Sequence, residues 1–412
     1  MKHSSVIIKD CQTNDIRFDL KNGDGSDAVN QNPQYAYAVC KLTTEANIAG
    51  TGFALTLGTG NELVCQAIEY LKTFIEGKEI EELMSDFGQV FQEMSNAPNL
   101  RWLGPHKGII HLALASVTNA CFDLWAKSRY VPLWKLLIDL SPEEVANILD
   151  LSYVEDVLTR REVIEILKNN RLKKPAIEHI LKTGYRGYDT SAGWFNYSNL
   201  QVQDKVKGSI DKGFTALKLK VGSDDQDRDI ERAHLVREAA GDSAQIMLDA
   251  NQRWSLTQAI GFCQKLNGID PYWIEEPTHP DDVYAHVELA KKIEPIKLAM
   301  GEHIPNRVIF KNFLQSGAMS FNQVDAVRVG GISEFITISL MSKKFGIPVV
   351  PHVGDMGQIH QHLVLFNQIC MGHEALFLEH IPHLQNYYKF PARLKDGYYQ
   401  VPQEPGASTD FK

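Results

Sequence analysis

Ala216-Leu-Lys-Leu-Lys-Val221 is a short apolar run that carries two lysines and precedes a helical pattern over Asp227–Ala240. Such β-prone runs indicate strands, and a helix after each strand is typical of parallel sheets. Residues two apart on a strand point to the same side, so we expect Lys218 and Lys220 to face one interior. The segment therefore predicts a strand–helix unit with two amines on one side of the sheet.

The same unit recurs along the chain. Short apolar runs, most of them separated by amphipathic stretches, lie at Gly187–Ser191, Ala216–Val221, Gln245–Asp249, Tyr272–Glu276, Lys297–Gly301, Gln323–Val329, Pro348–Pro351 and Leu376–Glu379. Eight such units predict an α/β fold with parallel strands closed into a (β/α) barrel. An open doubly wound sheet is the alternative. It is disfavoured because it rarely needs eight units and because no GxGxxG follows the first strand.

The first third of the sequence has a different pattern, which predicts a separate α+β domain. Strand-like runs lie at Ser5–Ile8, Asp15–Leu20, Ala36–Leu42 and Gly50–Leu57, and helical patterns at Gly60–Glu76, Ile80–Met94 and Ile109–Ser128. We expect this domain to span residues 1–140 and the barrel residues 141–380. The tail, residues 381–412, contains no further strand–helix unit and is expected to fold back onto the first domain.

Composition and charge disfavour several classes of function. The 42 Lys and Arg against 51 Asp and Glu give a net charge of −9, which argues against a nucleic-acid surface. An anionic substrate remains compatible, because a bound cation reverses the local charge. The 6 cysteines form no CxxC pair, as expected of buried thiols in a reducing compartment. No signal-peptide core and no membrane-spanning apolar run is evident, so a cytoplasmic protein without membrane contact is expected.

Ionisable residues recur at the predicted strand ends with the period of one strand–helix unit. After the two lysines, successive members of this series are 23 to 27 residues apart: Asp249, Glu275, Glu302, Asp325, His352 and Glu379. Groups repeating at that period all reach the carboxyl-terminal rim of a barrel, where barrel enzymes keep their active sites.

Each of these residues has an ordinary structural explanation when it is considered singly. A lysine pair is often an exposed strand edge, an aspartate after a strand is often a helix N-cap, and a lone histidine is often structural. Caps, however, would not require apolar residues right up to the acid, as in Ile246-Met-Leu-Asp249 and Tyr272-Trp-Ile-Glu275. The whole series in register therefore favours an active site.

The residue types in this series indicate metal-assisted proton abstraction. Three neighbouring carboxylates repel one another unless a cation neutralises them. Oxygen ligands alone favour Mg²⁺, with Mn²⁺ as a substitute, over zinc. A second amine and the cation would depress the pKa of a lysine and make it a base. Asp325 can orient His352 and raise its pKa, which suits a general acid. This machinery would remove a proton α to a carboxylate.

The motifs around these residues resemble those of the enolase superfamily, mandelate racemase subgroup. The motifs are Lys218-Leu-Lys220, Leu248-Asp-Ala-Asn251, Trp273-Ile-Glu-Glu-Pro277, Gly301-Glu302 and Pro351-His352. Wider stretches are similar to the L-fuconate dehydratases in that subgroup: Arg101-Trp-Leu-Gly-Pro105, Phe122-Asp-Leu-Trp-Ala-Lys127 and Asn306-Arg-Val-Ile-Phe-Lys311. The likeness extends over nearly the whole chain.

The resemblance implies a capping domain over a modified (β/α)₇β barrel and a homo-oligomer. It implies a hydro-lyase that converts L-fuconate or a close acid sugar to a 2-keto-3-deoxy acid. The implied metal ligands are Asp249, Glu275 and Glu302, with Glu276 beside them as a structural partner. The implied catalytic residues are Lys220 as the base at C2, Lys218 at the substrate carboxylate, His352 with Asp325 as the acid at the 3-hydroxyl, and Glu379 at the carboxylate. The implied substrate-binding residues are Lys218, Asn251, Glu379, Trp194, and Asp24 and Asp27 of a glycine-rich capping loop.

One departure and three alternatives accompany this expectation. Asp355 adds a charge in Val353-Gly-Asp-Met-Gly357 where the family commonly reads Ala-Gly-Gly-Val-Gly, which would affect sugar preference. A hydroxy-acid racemase or epimerase would use the same lysine and histidine. A non-catalytic sugar-acid binder would need neither this lysine nor this histidine. A phosphate-handling barrel would need a glycine-rich anion site that Asp355 disfavours.

Overall fold

The structure, a computed structural model, describes residues 5–412. The first element is an antiparallel sheet of β1 (Ile8–Asp19), β2 (Gln34–Thr44) and β3 (Ala49–Leu57), in that order. The predicted strand pair at residues 36–42 and 50–57 is confirmed as β2 and β3. The prediction of two strands before them is wrong, because a single strand, β1, covers that region. Its mixed, half-exposed pattern is that of an edge strand, and its polar middle interrupts the apolar signal.

The α-helices of the first domain follow this sheet, and the first and fifth of them pack directly against it. They are α1 (Asn61–Leu71), α2 (Ile80–Ser85), α3 (Phe87–Ser95), α4 (Pro98–Arg101), α5 (Gly108–Ser128) and α6 (Leu133–Asp139). The approach of α5 to β3 is close: a Cβ at Gly52 would lie 2.2 Å from the amide nitrogen of Ala120. α5 has the length and apolarity of a membrane span, but 83% of its apolar window is buried inside the protein. It is the central helix of a folded domain.

Three helices connect this domain to the barrel: α7 (Pro142–Asn147), α8 (Arg160–Asn170) and α9 (Lys174–Thr183). α7 and α8 both begin with capping boxes, in which a hydroxyl and a glutamate satisfy the first free amides of the helix. The boundary expected at residue 140 falls between α6 and α7 and stays a prediction.

The barrel alternates short strands with helices. Its strands are β4 (Tyr185–Gly193), β5 (Ala216–Lys220), β6 (Gln245–Asp249), β7 (Trp273–Glu275), β8 (Leu298–Met300), β9 (Phe321–Asn322) and β10 (Leu378–His380). Its helices are α10 (Asn199–Asp211), α11 (Gln226–Ala240), α12 (Leu256–Gln264), α13 (Val283–Lys292), α14 (Arg307–Ser316), α15 (Ile332–Phe345) and α16 (Ile359–Met371). β4 to β9 pair in parallel with their neighbours in chain order, and β10 returns to pair with β4. The predicted barrel with an α+β domain is confirmed.

Two predicted barrel strands are wrong in detail. The sixth strand is β9, which ends before the expected run at residues 323–329. That run forms a turn, in which the amides of Arg328 and Val329 donate to the Asp325 carbonyl. The expected seventh strand is only a bridge between Asn322 and Val349. Both segments are largely buried, so their composition could not fix where the strand hydrogen bonds begin and end.

The tail contributes to both domains. β11 (Leu394–Lys395) and β12 (Tyr398–Tyr399) form a hairpin that pairs with β4. Further along, the Thr51 hydroxyl donates to the Asp410 carboxylate at 2.6 Å. The amide of Gly406 donates to the carbonyl of Val131. The end of the chain therefore lies on the first domain.

The barrel interior is filled by aromatic and apolar side chains at one end. Tyr188, Met247, Trp273, Phe321 and Val350 form this buried cluster. Met247, Trp273 and Val350 stand two residues before Asp249, Glu275 and His352, so the cluster lies beneath those residues and leaves the opposite end of the barrel open for a site.

Candidate active site

Strand register brings the first ionisable side chains together. In the parallel pairing, Lys220 is opposite Asp249 and Asp249 is opposite Glu275. Each of these residues ends its strand, and their side chains are almost fully buried. The period seen in the sequence therefore corresponds to one layer of side chains at the rim of the barrel.

Asp249, Glu275 and Glu302 form a candidate metal site. Each offers a carboxylate oxygen, and the three oxygens lie within 4.8 Å of one another. Oε2 of Glu302 is buried and has no hydrogen-bond partner among the described residues. This set of oxygen donors, one of them unused, fits a hard divalent cation such as Mg²⁺.

The three carboxylates differ in how readily they ionise. Burial raises the pKa of Glu275 to about 8, against the pull of Lys218. Burial also acts on Glu302, but His352 and His303 bring its pKa down to about 2. Burial is likewise overcome at Asp249, whose pKa Lys220 and Lys218 hold below the usual range. A cation among these carboxylates would favour the ionised form of Glu275.

Lys218 lies beneath the cavity. Its Nζ is 2.7 Å from Glu275 Oε1, 2.7 Å from Glu379 Oε1 and 3.3 Å from Asp249 Oδ2. Its side chain is fully buried and is not among those that line the cavity. In this geometry Lys218 neutralises the carboxylates around it. For the predicted contact with Lys218, a substrate carboxylate would have to reach between these protein carboxylates.

Lys220, two residues further, lines the cavity. Its Nζ is 2.5 Å from Asp249 Oδ2 and 5.7 Å from the ring centroid of Trp194. Burial lowers the pKa of Lys220, but Asp249 raises it further, so the pKa lies above its ordinary value. The depressed pKa expected from the sequence assumed a bound cation, which would draw the charge of Asp249 away from the amine.

His352 faces the same cavity and is held from behind by Asp325. Its Nδ1 is 2.8 Å from Asp325 Oδ2, and its Nε2 is 3.6 Å from Glu302 Oε1 and 3.7 Å from Glu379 Oε2. Burial lowers the pKa of His352, but Glu302, Glu379 and Asp325 together raise it to about 9. A protonated imidazole at neutral pH is a suitable proton donor.

Glu379 is close to the reacting groups but does not line the cavity. The Thr190 hydroxyl donates to its Oε1 at 2.5 Å, and its Oε2 is buried without a partner among the described residues. Asn251 does line the cavity, and its Oδ1 is also without a partner there. Both predicted substrate-binding residues therefore keep an unused acceptor.

The cavity has a volume of about 140 Å³ and lies between the barrel and the first domain. The predicted residues that line it are Asp27, Trp194, Lys220, Asn251, Glu302 and His352. Tyr35 and Leu55–Leu57 of the first domain complete the wall, so a substrate here would be covered by that domain.

The glycine-rich loop places its two aspartates differently. Asp27 lines the cavity and accepts hydrogen bonds from the amides of Val29 and Asn30 at 2.7 and 2.6 Å. Asp24 does not line the cavity. It accepts a 2.5 Å bond from the Tyr197 hydroxyl and lies 3.7 Å from Nδ1 of His383. In this geometry Asp24 attaches the loop to the barrel, and sequence alone could not tell which of the two faces inward.

Glu276, expected beside the ligands, is buried in a network of its own. Gln252 Nε2 donates to its Oε2 at 2.5 Å, and His303 Nδ1 lies 2.9 Å from its Oε1. One oxygen or nitrogen each from Glu276, Glu302 and His303 also lies within 4.8 Å of the others. Gln252 and His303 line the cavity and were missed from the sequence, although both directly follow predicted site residues.

Asp355, the departure from the family pattern, does not line the cavity. It is buried and accepts 2.8 Å bonds from the amide of Ile381 and from Nε2 of Gln385, with His380 Nδ1 at 3.0 Å. Its neighbour Met356 and its partner Ile381 both line the cavity. Asp355 therefore fixes a segment of the wall.

The chain is similar to known proteins over nearly its whole length. A family model described as "Enolase C-terminal domain-like" matches residues 201–412. L-galactonate dehydratase of Hypocrea jecorina is 38% identical over 99% of this chain and 93% of its own length. The crystal structure of human mitochondrial enolase superfamily member 1 superposes with a TM-score of 0.96 at 37% identity, covering 99% of this chain and 95% of that one.

A more distant solved structure contains the expected metal. It is the L-talarate/galactarate dehydratase of Salmonella typhimurium LT2, liganded with Mg and L-lyxarohydroxamate. Its TM-score is 0.80 at 24% identity, over 99% of this chain and 92% of that one, which shows a shared fold. The predicted Mg²⁺ fits the donor set of this chain and is present in this neighbour.

Proposed function

The chain belongs to the enolase superfamily, and from this premise we propose that it is a Mg²⁺-dependent dehydratase of acid sugars. The supporting observation is that Lys220 and His352 face one cavity beside the carboxylate group of Glu302. A non-catalytic sugar-acid binder would not need an oriented acid–base pair. The residues of the cavity are explained without the separate anion site that the phosphate-handling alternative requires.

Lys220 acts as the base in the proposed reaction. In its neutral form, its amine takes the proton from C2 of the substrate, whose carboxylate lies at the metal site. Asp249, Glu275 and Glu302 would hold Mg²⁺, which would supply positive charge to stabilise the substrate carboxylate as negative charge develops on it. Lys218, beneath, keeps Glu275 and Glu379 in place and compensates their charge.

His352 completes the reaction as the acid. Its Nε2 proton passes to the 3-hydroxyl, the C3–O bond breaks, and water leaves while the C2–C3 double bond forms. The resulting enol takes up a proton at C3 and becomes a 2-keto-3-deoxy acid. Asp325 holds the other ring nitrogen, so that the proton to be donated is on Nε2.

The proposed substrates are L-galactonate and L-fuconate. The first is the substrate named for the Hypocrea jecorina relative, and the second follows from the sequence motifs. L-fuconate is 6-deoxy-L-galactonate, so the two acids share the configuration from C2 to C5 and differ only at C6. The groups at C2 and C3 that meet Lys220 and His352 are the same in both.

The test is a panel of acid sugars with the purified protein and Mg²⁺, in which the 2-keto-3-deoxy product is measured. Turnover of either acid that is lost with EDTA and in Lys220→Met supports the proposal. Lys207→Met, at an exposed position on α10, is the matched control and should keep wild-type turnover. If the wild type forms no 2-keto-3-deoxy product from any acid of the panel, the proposed dehydration is contradicted. Epimerisation at C2 without loss of water would instead indicate the racemase alternative.

A further inference from the structure

Arg328 is a cation in the cavity wall that the proposed reaction does not use. It lies in the turn after Asp325, and its half-buried side chain lines the cavity. Its Nη1 donates to the carbonyl of Leu55 at 2.9 Å, while its Nε is buried and has no acceptor among the described residues. Within residues 5–412, no carboxylate lies at ion-pair distance from this guanidinium. The two donors of Nη2, which have no partner among the described residues, are therefore free for a ligand.

The position of Arg328 differs from that of the reacting groups. Like Lys220 and His352, Arg328 belongs to the barrel, but its guanidinium is hydrogen-bonded to Leu55 near the end of β3 in the first domain. Leu55, Thr56 and Asn30 of the first domain also line the cavity. A substrate whose carboxylate and C2 lie at the barrel rim would extend its other end towards this junction.

A purely structural role explains only part of this geometry. The amide of Leu55 already donates to the carbonyl of Val327, so the two domains are joined at this point without the guanidinium. A side chain needed only to join the two domains would not leave a buried Nε without an acceptor among the described residues, because a buried donor without an acceptor is destabilising.

We propose that Arg328 binds the oxygen at C6 of the acid sugar and thereby determines specificity at the end remote from the reaction. This inference rests on the proposed function. A guanidinium donates well to a hydroxyl and better to a carboxylate, and a methyl group gives it no acceptor. Val29 and Leu57 also line the cavity, so a methyl group is tolerated but leaves Arg328 unpaired. L-galactonate is therefore preferred over L-fuconate.

The test uses three substrates that differ only at C6: L-fuconate with a methyl group, L-galactonate with a hydroxymethyl group and galactarate with a carboxylate. Arg328→Met removes the donors and keeps most of the length of the side chain. It should lower kcat/KM for L-galactonate and galactarate by about tenfold or more, mainly through KM, because a group that bound oxygen is lost. The value for L-fuconate should change by less than about threefold. Arg328→Lys, which keeps a donor, should restore part of the loss.

Two further measurements separate the possible failures. The affinity of each acid for the Mg²⁺-loaded wild type and for Arg328→Met is measured by calorimetry, which needs no turnover. If the wild type dehydrates none of the acids but binds L-galactonate more tightly than L-fuconate through Arg328, the proposed function fails and the specificity role stands. An equal loss for all three acids, no loss for L-galactonate, or no binding of any acid overturns the role of Arg328. Arg161→Met, at an exposed site on α8, is the control.

Discussion

Asp325 controls both the orientation and the charge of the proposed acid. Its carboxylate is 2.8 Å from Nδ1 of His352 and does not line the cavity. A second histidine, His360, lies with its Nε2 3.1 Å from the other oxygen of Asp325 and was missed from the sequence. The pKa of Asp325 is held below its usual range, because His360 and His352 outweigh the effect of burial. Asp325 is therefore a permanent negative charge behind the acid.

Replacement of that charge should affect the rate more than binding. Asp325→Asn leaves a side chain of the same size but removes the charge that favours protonated His352. We expect kcat to fall by about 10² to 10⁴-fold with little change in KM, the range that positioned acid–base groups contribute. The exposed Asp242→Asn is the control, and the melting temperature shows whether the fold is intact. A kcat within about twofold of wild type would exclude a role for Asp325.

For individual residues, the sequence predicts those whose position in space is set by strand register. Lys220, Asp249 and Glu275 end neighbouring strands, so their period in the chain becomes adjacency in space. Arg328 could not be predicted in the same way, because it lies in a turn whose hydrogen bonds only the folded structure reveals. The same holds for Asp24, whose partner Tyr197 is 173 residues away.

Buried charges also join helices of the two domains. Glu334, at the start of α15, is fully buried and lies 2.6 Å from Nε2 of His111 on α5 and 3.0 Å from Nη1 of Arg307 on α14. Arg307 also contacts the carboxylate of Asp150 at 2.5 Å. Burial would raise the pKa of Glu334, but His111 and Arg307 hold it below the usual range. Ionised Glu334 therefore stabilises the contact of three helices.

The stability of this junction should depend on pH. Because the folded pKa of Glu334 is below its unfolded value of about 4.3, its contribution is present above that pH and lost as the pH falls. Glu334→Gln should lower the free energy of unfolding by about 3 kcal/mol at pH 7. The difference from wild type should shrink below about pH 4.3. Denaturant unfolding at several pH values measures both, with exposed Glu178→Gln as the control. A difference that is the same at pH 7 and at about pH 3 would contradict this role of Glu334.

Elements were predicted well where their pattern is amphipathic and poorly where they are short or uniformly buried. The helices α5 and α11 and the strands β5 and β6 lie close to where the sequence places them. β9 has two residues, and the expected seventh strand is a single bridge. Strands this short form few ladder hydrogen bonds, and their sequence pattern hardly differs from that of the residues around them. Barrel closure depends on the whole set of units rather than on each strand.

For the molecule as a whole, the two-domain architecture was predictable because the two regions have different periodicities. The covering of the cavity by the first domain was not, since it depends on contacts such as that between Arg328 and Leu55. The net charge of the protein is negative, although the proposed substrate is an anion. The proposed site would bind this anion through Mg²⁺ and a few inward-facing basic groups, which is compatible with that net charge. One relative carries a mitochondrial name, so the cytoplasmic location stays a prediction, as does the homo-oligomer.

In the proposed reaction Lys220 removes the C2 proton and His352 expels the 3-hydroxyl. The most direct measurement follows C2 of the substrate by NMR in deuterium oxide, with Mg²⁺ and with single variants of the two residues. With Lys220 as the base and His352 as the acid, we expect that His352→Asn exchanges the C2 proton for deuterium without forming the keto acid, and that Lys220→Met does neither. Exchange at C2 that persists in Lys220→Met, or dehydration at the wild-type rate by His352→Asn, would contradict it.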